Sequence, residues 1–421
     1  VIRLLCHKQA ITGGFTIMTT PHPTHIVILG AGYAGLFAAL RLANQTRRAP
    51  VEITLINATA HFVERIRLHQ AIVGQPLKQH PIAGFLKGTG IRFIQAYVTT
   101  LSPESHSLTL QPTGGATQTV TYDSLVYALG SRTNTALISG AAQHAVTLDA
   151  PLHWSSDLKA TAARGGQVIV IGGGMTGLEA VTEIAETYPT AQIHLITGGH
   201  LGRDLNTVGE AYLRKTLSAM KINVHENRSV RAIEAGQLQF TDGGSLPFDL
   251  CVIAAGFTAS PLARQAGLAV NNNGQVLVDA IFRSISHPDI FAIGDSAAFD
   301  SQAQLPLRMG CAVAMPMGYH VANVLSSLLK GDVPQPFAFG FIARMTSLGR
   351  WRGIAQFVTP DDQPTSRILT GRAGAMFKET ICRSTVIALY LERKVPGLYP
   401  WSHARKAQGS LKPVARLMVK A

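Results

Sequence analysis

"IVILGAGYAGLFAAL", Ile26 to Leu40, joins a β-branched run to a glycine-rich turn and then to a run of small and apolar residues. Ile26, Val27, Ile28 and Leu29 read as a buried parallel strand, and Leu36 to Asn44 as a helix laid back on it. Between them Gly30, Gly32 and Gly35 keep the GxGxxG spacing, with Tyr33 and Ala34 inside the turn. In such a turn the first glycine allows the sharp bend, the second lets backbone approach a pyrophosphate, and the third lets helix and strand pack closely. The helix N-terminus then offers unpaired N–H groups and the positive end of its dipole to the phosphate. A lone GxGxxG says little, but one flanked by strand and helix points to a dinucleotide.

The chain writes nearly the same phrase again at Val168 to Glu183, "VIVIGGGMTGLEAVTE". Val168 to Ile171 is the strand, Gly172, Gly174 and Gly177 hold the same spacing around Met175 and Thr176, and Leu178 to Thr187 is the helix. A further strand follows each copy, "VEITLIN" (Val51–Asn57) and "QIHLIT" (Gln192–Thr197), so the chain carries two βαβ units. Both keep all three glycines, which predicts two bound dinucleotides rather than one site and a decayed duplicate. An Asp or Glu commonly ends the second strand and binds the adenosine ribose. Here Asn57 stands 22 residues after Gly35, and Thr197 stands 20 residues after Gly177. Asn57 can still hydrogen-bond ribose hydroxyls. Thr197 removes a carboxylate that would repel a 2′-phosphate, and His200 and Arg203 follow closely, so NADPH is admitted beside NADH.

The 421 residues suffice for two or three domains with sizeable cores. Hydrophobic residues at 46% and charged residues at 14% exclude a disordered chain. Cys6, Cys251, Cys311 and Cys382 are scattered without a CxxC, which argues against a zinc site and for a reducing compartment. No run of about 20 apolar residues marks a membrane span. Residues 1–24 are expected to be a disordered leader outside the fold. Net charge is +13, and Phe341 to Ala421 holds 14 Lys and Arg against 4 Asp and Glu. Within that region Met376, Phe377, Ile381, Ala388 and Leu391 recur near helical spacing around Lys378 and Arg383, and Tyr399 and Trp401 precede Arg405 and Lys406. Aromatic residues beside basic ones suit a lipid interface, so an anionic membrane surface is the expected partner and nucleic acid is not.

A third element narrows the class. "HPDIFAIGDSAAF", His287 to Phe299, reads as a strand ending in Gly294-Asp295. With the two glycine turns it resembles the second FAD fingerprint of the two-dinucleotide-binding flavoproteins, the pyridine nucleotide-disulfide reductase superfamily. The resemblance runs from about His25 to Gly318. It implies an α/β fold of two Rossmann-like domains: an FAD domain in two parts (25–160 and 279–335), an inserted NAD(P) domain (161–278) and a small C-terminal α+β region (336–421). It implies FAD at the Gly30–Gly35 turn and Asn57, with Asp295 at the ribityl–pyrophosphate region, and NADH or NADPH at Gly172–Gly177, Thr197 and Arg203. "LVYALGSR" (Leu125–Arg132) and "CVIAAGF" (Cys251–Phe257) resemble the strand–glycine crossings between domains, which adds Gly130 and Gly256 to the cofactor-lining set.

Within the superfamily the sequence is most similar to the type II NADH dehydrogenase-like branch. "GGGMTGLEA" places Glu179 where that branch carries a Glu near the flavin–nicotinamide contact, which implies a catalytic role. "FVERIRLHQ" (Phe62–Gln70) lies where disulfide reductases carry their redox cysteines, and it has none. If extended, it would put Arg65, Arg67 and His69 on one face, with Arg67 toward phosphate or anionic reduced flavin. "SLGRWRGIAQF" (Ser347–Phe357) and "LTGRAGAMFKE" (Leu369–Glu379) resemble the branch's C-terminal region. One match fails. The branch's quinone helix reads like AQxAxQQG, but "CAVAMPMG" (Cys311–Gly318) has Ala312, Pro316 and Met317 at the glutamine positions, and Pro316 is expected to disturb the helix. A lining with Met315 and Met317 can still take a flat apolar acceptor. The resemblance thus implies hydride transfer from NAD(P)H to FAD and onward electron transfer to a quinone or quinone-like acceptor. Reduction of another small molecule, or low-turnover NAD(P)H sensing as in apoptosis-inducing-factor relatives, are the alternatives. Sulfide oxidation would need paired cysteines, and only Cys311 is expected near the flavin. The expected setting is the cytoplasm, peripheral at the inner face of the cell membrane, with a homodimer allowed.

Overall fold

Thr24–Leu29 lies inside a seven-stranded sheet of a computed structural model that describes residues 22–150, 153–300 and 307–398. The strand order is Ile290–Ala292, Ser124–Tyr127, Thr24–Leu29, Val51–Asn57, Arg92–Ser102, Ser107–Pro112 and Gln118–Thr121. The first five run parallel and the last two fold back antiparallel. Ile26 to Leu29 are no more than 1% exposed, which is why this strand is an unbroken apolar run rather than an alternating one. Helix Tyr33–Gln45 packs against it, and helix Cys311–Leu329 crosses that helix. The crossing is close because Gly318 has no Cβ; one there would collide with the Ala34 carbonyl oxygen.

A second, fully parallel sheet orders Val146–Thr147, Leu250–Ile253, Gln167–Ile171, Gln192–Ile196 and Asn223–His225. Its edge strand comes from residues 146–147, before the second glycine turn. A three-stranded antiparallel sheet (Val230–Glu234, Gln237–Phe240, Ser245–Pro247) flanks it. The two passages between the sheets lie side by side: Phe257–Ala259 pairs antiparallel with Ser131–Thr133. Gly130 (φ +69°) and Gly256 (φ +70°) stand just before these paired segments.

The C-terminal region is a three-stranded antiparallel sheet (Ala343–Ser347, Gly353–Val358, Pro364–Thr370) followed by helix Gly371–Lys394. That helix returns to the first domain, where Arg41 donates to buried Glu392 at 3.0 Å. Residues 1–21, and Tyr399, Trp401, Arg405 and Lys406, lie outside the described residues.

Two local expectations are corrected. Arg65–Arg67 is a 3₁₀ turn continuing into helix Leu68–Ala71, so the three basic residues do not share an extended face. Arg65 turns out to Asp149, Arg67 turns inward to Glu64 and Glu379, and His69 is buried. Helix Cys311–Leu329 runs unbroken through Pro316. Pro316 is its sixth residue, so the lost bond would have gone to Ala312 in the first turn, and Ala312 is exposed. By length and composition this helix is apolar enough to cross a membrane, with a mean hydropathy of 1.2, but 61% of it is buried in the protein.

Candidate active site

The two glycine turns are built alike. At the first, Gly30 has φ +97°, and a Cβ on Gly30 or Gly35 would collide with the carbonyl oxygen of Ala128 or of Gly30. At the second, Gly172 has φ +131°, and a Cβ on Gly177 would collide with the Gly172 carbonyl. Gly32 and Gly174 differ: each has ordinary φ, −74° and −78°, and each faces open space with nothing within 4 Å of an added Cβ. Both sit at a helix N-cap, where backbone donors are free for an anion. Packing therefore accounts for two glycines of each turn and leaves the middle one for a ligand, so both turns fit a dinucleotide pyrophosphate.

Around the first turn, Asn57 Oδ1 accepts the Ala31 N–H at 2.9 Å while its Nδ2 donates to the Thr59 carbonyl at 2.9 Å, so Asn57 braces the loop. Asp295 Oδ2 accepts the Ser131 hydroxyl at 2.6 Å, and its Oδ1 accepts the Gly310 N–H at 2.8 Å. It thereby joins the Gly130 crossing to the start of helix Cys311–Leu329, with Gly294 (φ +68°) making the bend and Gly130 N–H donating to Ser296 at 2.7 Å. Tyr33 is buried edge-on against Phe62, with ring centroids 4.9 Å apart, and Ala34 is buried. At the second turn Thr197 packs against Gly173. Met175 is 40% exposed, Thr176 is half-buried, and the Gly256 carbonyl accepts the Asn134 N–H at 2.7 Å. Of the two groups suggested for a 2′-phosphate, His200 already lies 2.9 Å from Glu210 and 3.4 Å from Glu226, while Arg203 is exposed.

Glu179 lies in helix Met175–Thr187, just past the second turn, and its side chain is 12% exposed. Its Oε1 accepts the Ser347 N–H at 3.2 Å and is ion-paired with Lys378 Nζ, which also donates to the Ser347 hydroxyl at 2.9 Å. Its Oε2 lies 3.5 Å from His69 Nδ1. One helix turn on, buried Glu183 accepts from Gln75 at 2.7 Å. Burial pushes its carboxyl above the usual range, with Arg350 opposing the shift. His69 is held well below its ordinary value, by burial first and then by Lys378, Arg67 and Arg350, so it is neutral. The sequence did not single out Lys378 as part of this group. By spacing Lys378 is a polar residue between apolar ones on a surface helix, yet Lys378 is 7% exposed while Met376 of that pattern is 69% exposed.

The partners of Glu179 line a cleft of about 360 Å³, with Arg67, His69, Glu183, Ser347, Arg350 and Lys378 in its wall; Glu179 itself stands behind that wall, bonded to Ser347 and Lys378. Arg67 is held by Glu64 (2.9 Å) and by a bidentate pair with Glu379 (2.8 and 3.0 Å), which fixes it as part of that wall. Cys382 also lines the cleft, a position the sequence gave no reason to expect. Burial pushes the Cys311 thiol up to about 12 and the Cys382 thiol up to about 11, so neither is a thiolate at neutral pH.

The pyridine nucleotide-disulphide oxidoreductase family matches residues 24–320, a span that holds both glycine turns and Asp295. The chain belongs to this family. It is 28% identical over 352 residues to the demethylphylloquinone reductase NdbB of Synechocystis, covering 79% of this chain and 86% of that one. It is 25% identical over 388 residues to the type II NADH:quinone oxidoreductase of Staphylococcus aureus, covering 85% and 93%. Among solved structures, NDH2 from Plasmodium falciparum in complex with NADH superposes with a TM-score of 0.73 at 18% identity, covering 89% of this chain and 99% of that one. The protein is an NAD(P)H-dependent flavin oxidoreductase of two Rossmann-like domains, similar to the type II NADH dehydrogenases.

Proposed function

We propose that the protein oxidises NAD(P)H and reduces a quinone or quinone-like small molecule. The observation that carries this reading is the joining of Glu179, beside the second glycine turn, to Lys378 and Ser347 of the C-terminal region in the wall of the cleft. When bound, FAD supplies acceptance of a hydride from the nicotinamide and onward transfer of electrons to the acceptor. The Gly30–Gly35 turn with Asp295 would hold FAD, and the Gly172–Gly177 turn would hold NAD(P)H. Lys378 and Ser347 fix Glu179 Oε1, which leaves Oε2, on the His69 side, as the atom able to take or give a proton. Phe62–Gln70, the stretch that by resemblance answers to the redox cysteines of disulfide reductases, has none, and the buried thiols of Cys311 and Cys382 do not favour sulfide as the donor.

Steady-state NAD(P)H oxidation with and without menadione tests the reading. Saturable turnover with the quinone supports it, and flavin that NAD(P)H reduces but no acceptor reoxidises would favour the sensing alternative. The same reading includes peripheral contact with an anionic membrane from the cytoplasmic side. It is supported by the basic surplus beyond Phe341 and by exposed Ile387 (54%), Val395 (50%) and Leu398 (56%).

A further inference from the structure

Away from the glycine turn, at the other end of helix Tyr33–Gln45, lies a second concavity of about 300 Å³. The 13-residue helix is about 20 Å long, so this pocket is separate from the dinucleotide sites. Its wall includes Asn44, Gln45, Arg47, Arg48, Arg393 and Lys394, with four cations and no acidic residue. Two helices end there, Tyr33–Gln45 and Gly371–Lys394. Cations at helix C-termini commonly answer the negative ends of the dipoles, but two such ends amount to only about one negative charge. Four positive charges leave a surplus of about three.

Few acceptors within the fold meet that surplus. Arg47 donates to Asn44 at 3.3 Å and Arg393 to the Gly84 carbonyl at 2.6 Å, both neutral. Among the described residues the side chains of Arg48 and Lys394 have no hydrogen-bonding or ionic partner. Glu392, the nearest acid in sequence, is not in the pocket wall: it is fully buried and bonded to Arg41 and to the Gly397 N–H. Residues 399–421 contain no Asp or Glu.

We infer that this pocket binds a phosphate group. Lipid headgroups are the favoured source, because Val395 and Leu398, both more than half or half exposed, follow Arg393 and Lys394 directly and give the cationic pocket an apolar neighbour. The inference deepens the membrane reading above and is independent of the electron acceptor.

The test uses the full-length flavoprotein and two double charge reversals. One is Arg48→Glu with Lys394→Glu. The other, Lys159→Glu with Lys215→Glu, makes the same change in net charge at two exposed lysines elsewhere. Co-sedimentation is measured with phosphatidylcholine vesicles with and without 30% phosphatidylglycerol, and inorganic phosphate binding by calorimetry. The flavin spectrum and melting temperature check the fold, and Arg48→Gln with Lys394→Gln replaces any reversal that fails to fold. At least roughly tenfold weaker binding to the anionic vesicles in the pocket variant, with the control pair within about twofold of wild type, is the expected result. Phosphate binding lost in the pocket variant, with no vesicle binding by wild type, supports a phosphate site with a soluble source and refutes the lipid assignment. Equal losses in both double variants, or none in either, overturn the pocket; so does a wild type that binds neither ligand. NAD(P)H oxidation in detergent-free buffer is read separately, so failure here leaves the oxidoreductase reading intact.

Discussion

Lys378 and Glu179, 199 positions apart in sequence, form an ion pair that joins the helix after the second glycine turn to the C-terminal helix. Both side chains are nearly buried, 9% and 12% exposed, so neither charge is well solvated without the other. Glu179→Gln removes the carboxylate and leaves the lysine charge in place. It should cost about 3 kcal/mol of stability, and adding Lys378→Met should recover most of that loss. Flavin should remain bound, since the Gly32 turn is untouched. If Oε2 moves a proton, reduction of the flavin band by NAD(P)H should slow by about 10²–10⁴-fold. Stopped-flow traces identical to wild type for both half-reactions across pH 6–9 would reduce Glu179 to a structural carboxylate.

The open middle glycines separate the two dinucleotide sites. Gly32→Ala and Gly174→Ala each place a methyl group in free space at an ordinary φ, so both proteins should fold and melt near the wild-type apoprotein. Gly32→Ala should emerge with little flavin, because its methyl group stands where the pyrophosphate approaches. Gly174→Ala should stay yellow but show a KM for NAD(P)H raised at least about tenfold. Flavin absorbance and steady-state kinetics read both outcomes, and exchange of the two phenotypes would reverse the assignment of the turns.

Thr197 controls the choice of nucleotide if the second strand ends at the ribose. NADPH should be used at least comparably to NADH by wild type, and Thr197→Asp should shift the ratio of kcat/KM toward NADH by tenfold or more. A wild-type preference for NADH of a hundredfold, about 2.7 kcal/mol, would sink this reading. His200 is the weaker part of it, since two carboxylates already engage it.

His320, packed among Phe282 and Phe337, is held by burial down at about 4. The unfolded chain takes up this proton near 6.5 and the folded protein does not, so stability is lost as pH falls from about 6.5 toward 4. His320→Phe should make the drop between pH 7.5 and pH 5 smaller by about 2 kcal/mol, read from denaturant midpoints at both pH values. An unchanged drop would mean that the imidazole is protonated inside the fold.

The sequence by itself determined the dinucleotide scaffold. Ile26–Leu29 and Val168–Ile171 are buried on both faces and so must be apolar throughout, and the first and third glycines of each turn answer steric demands that no other residue meets. These constraints act within some twenty residues, so spacing alone displays them. What pairs across hundreds of residues was decided by the tertiary structure. Glu179 gave no local sign of Lys378, because a lysine in an amphipathic helix reads as solvent-facing until another domain covers it. The extended face for Arg65, Arg67 and His69 does not form, because an extended run and a 3₁₀ turn share the same short polar pattern, and the carboxylates that hold Arg67 lie both beside it, at Glu64, and 312 residues away, at Glu379. The proline penalty at Pro316 was overestimated because it depends on the helix start, and a start at Cys311 puts the lost bond in the first turn. The pocket at Arg48 and Lys394 exists only because two helices from opposite ends of the chain finish side by side. Charge composition reports how many cations there are; the packing of the helices decides which of them face one another.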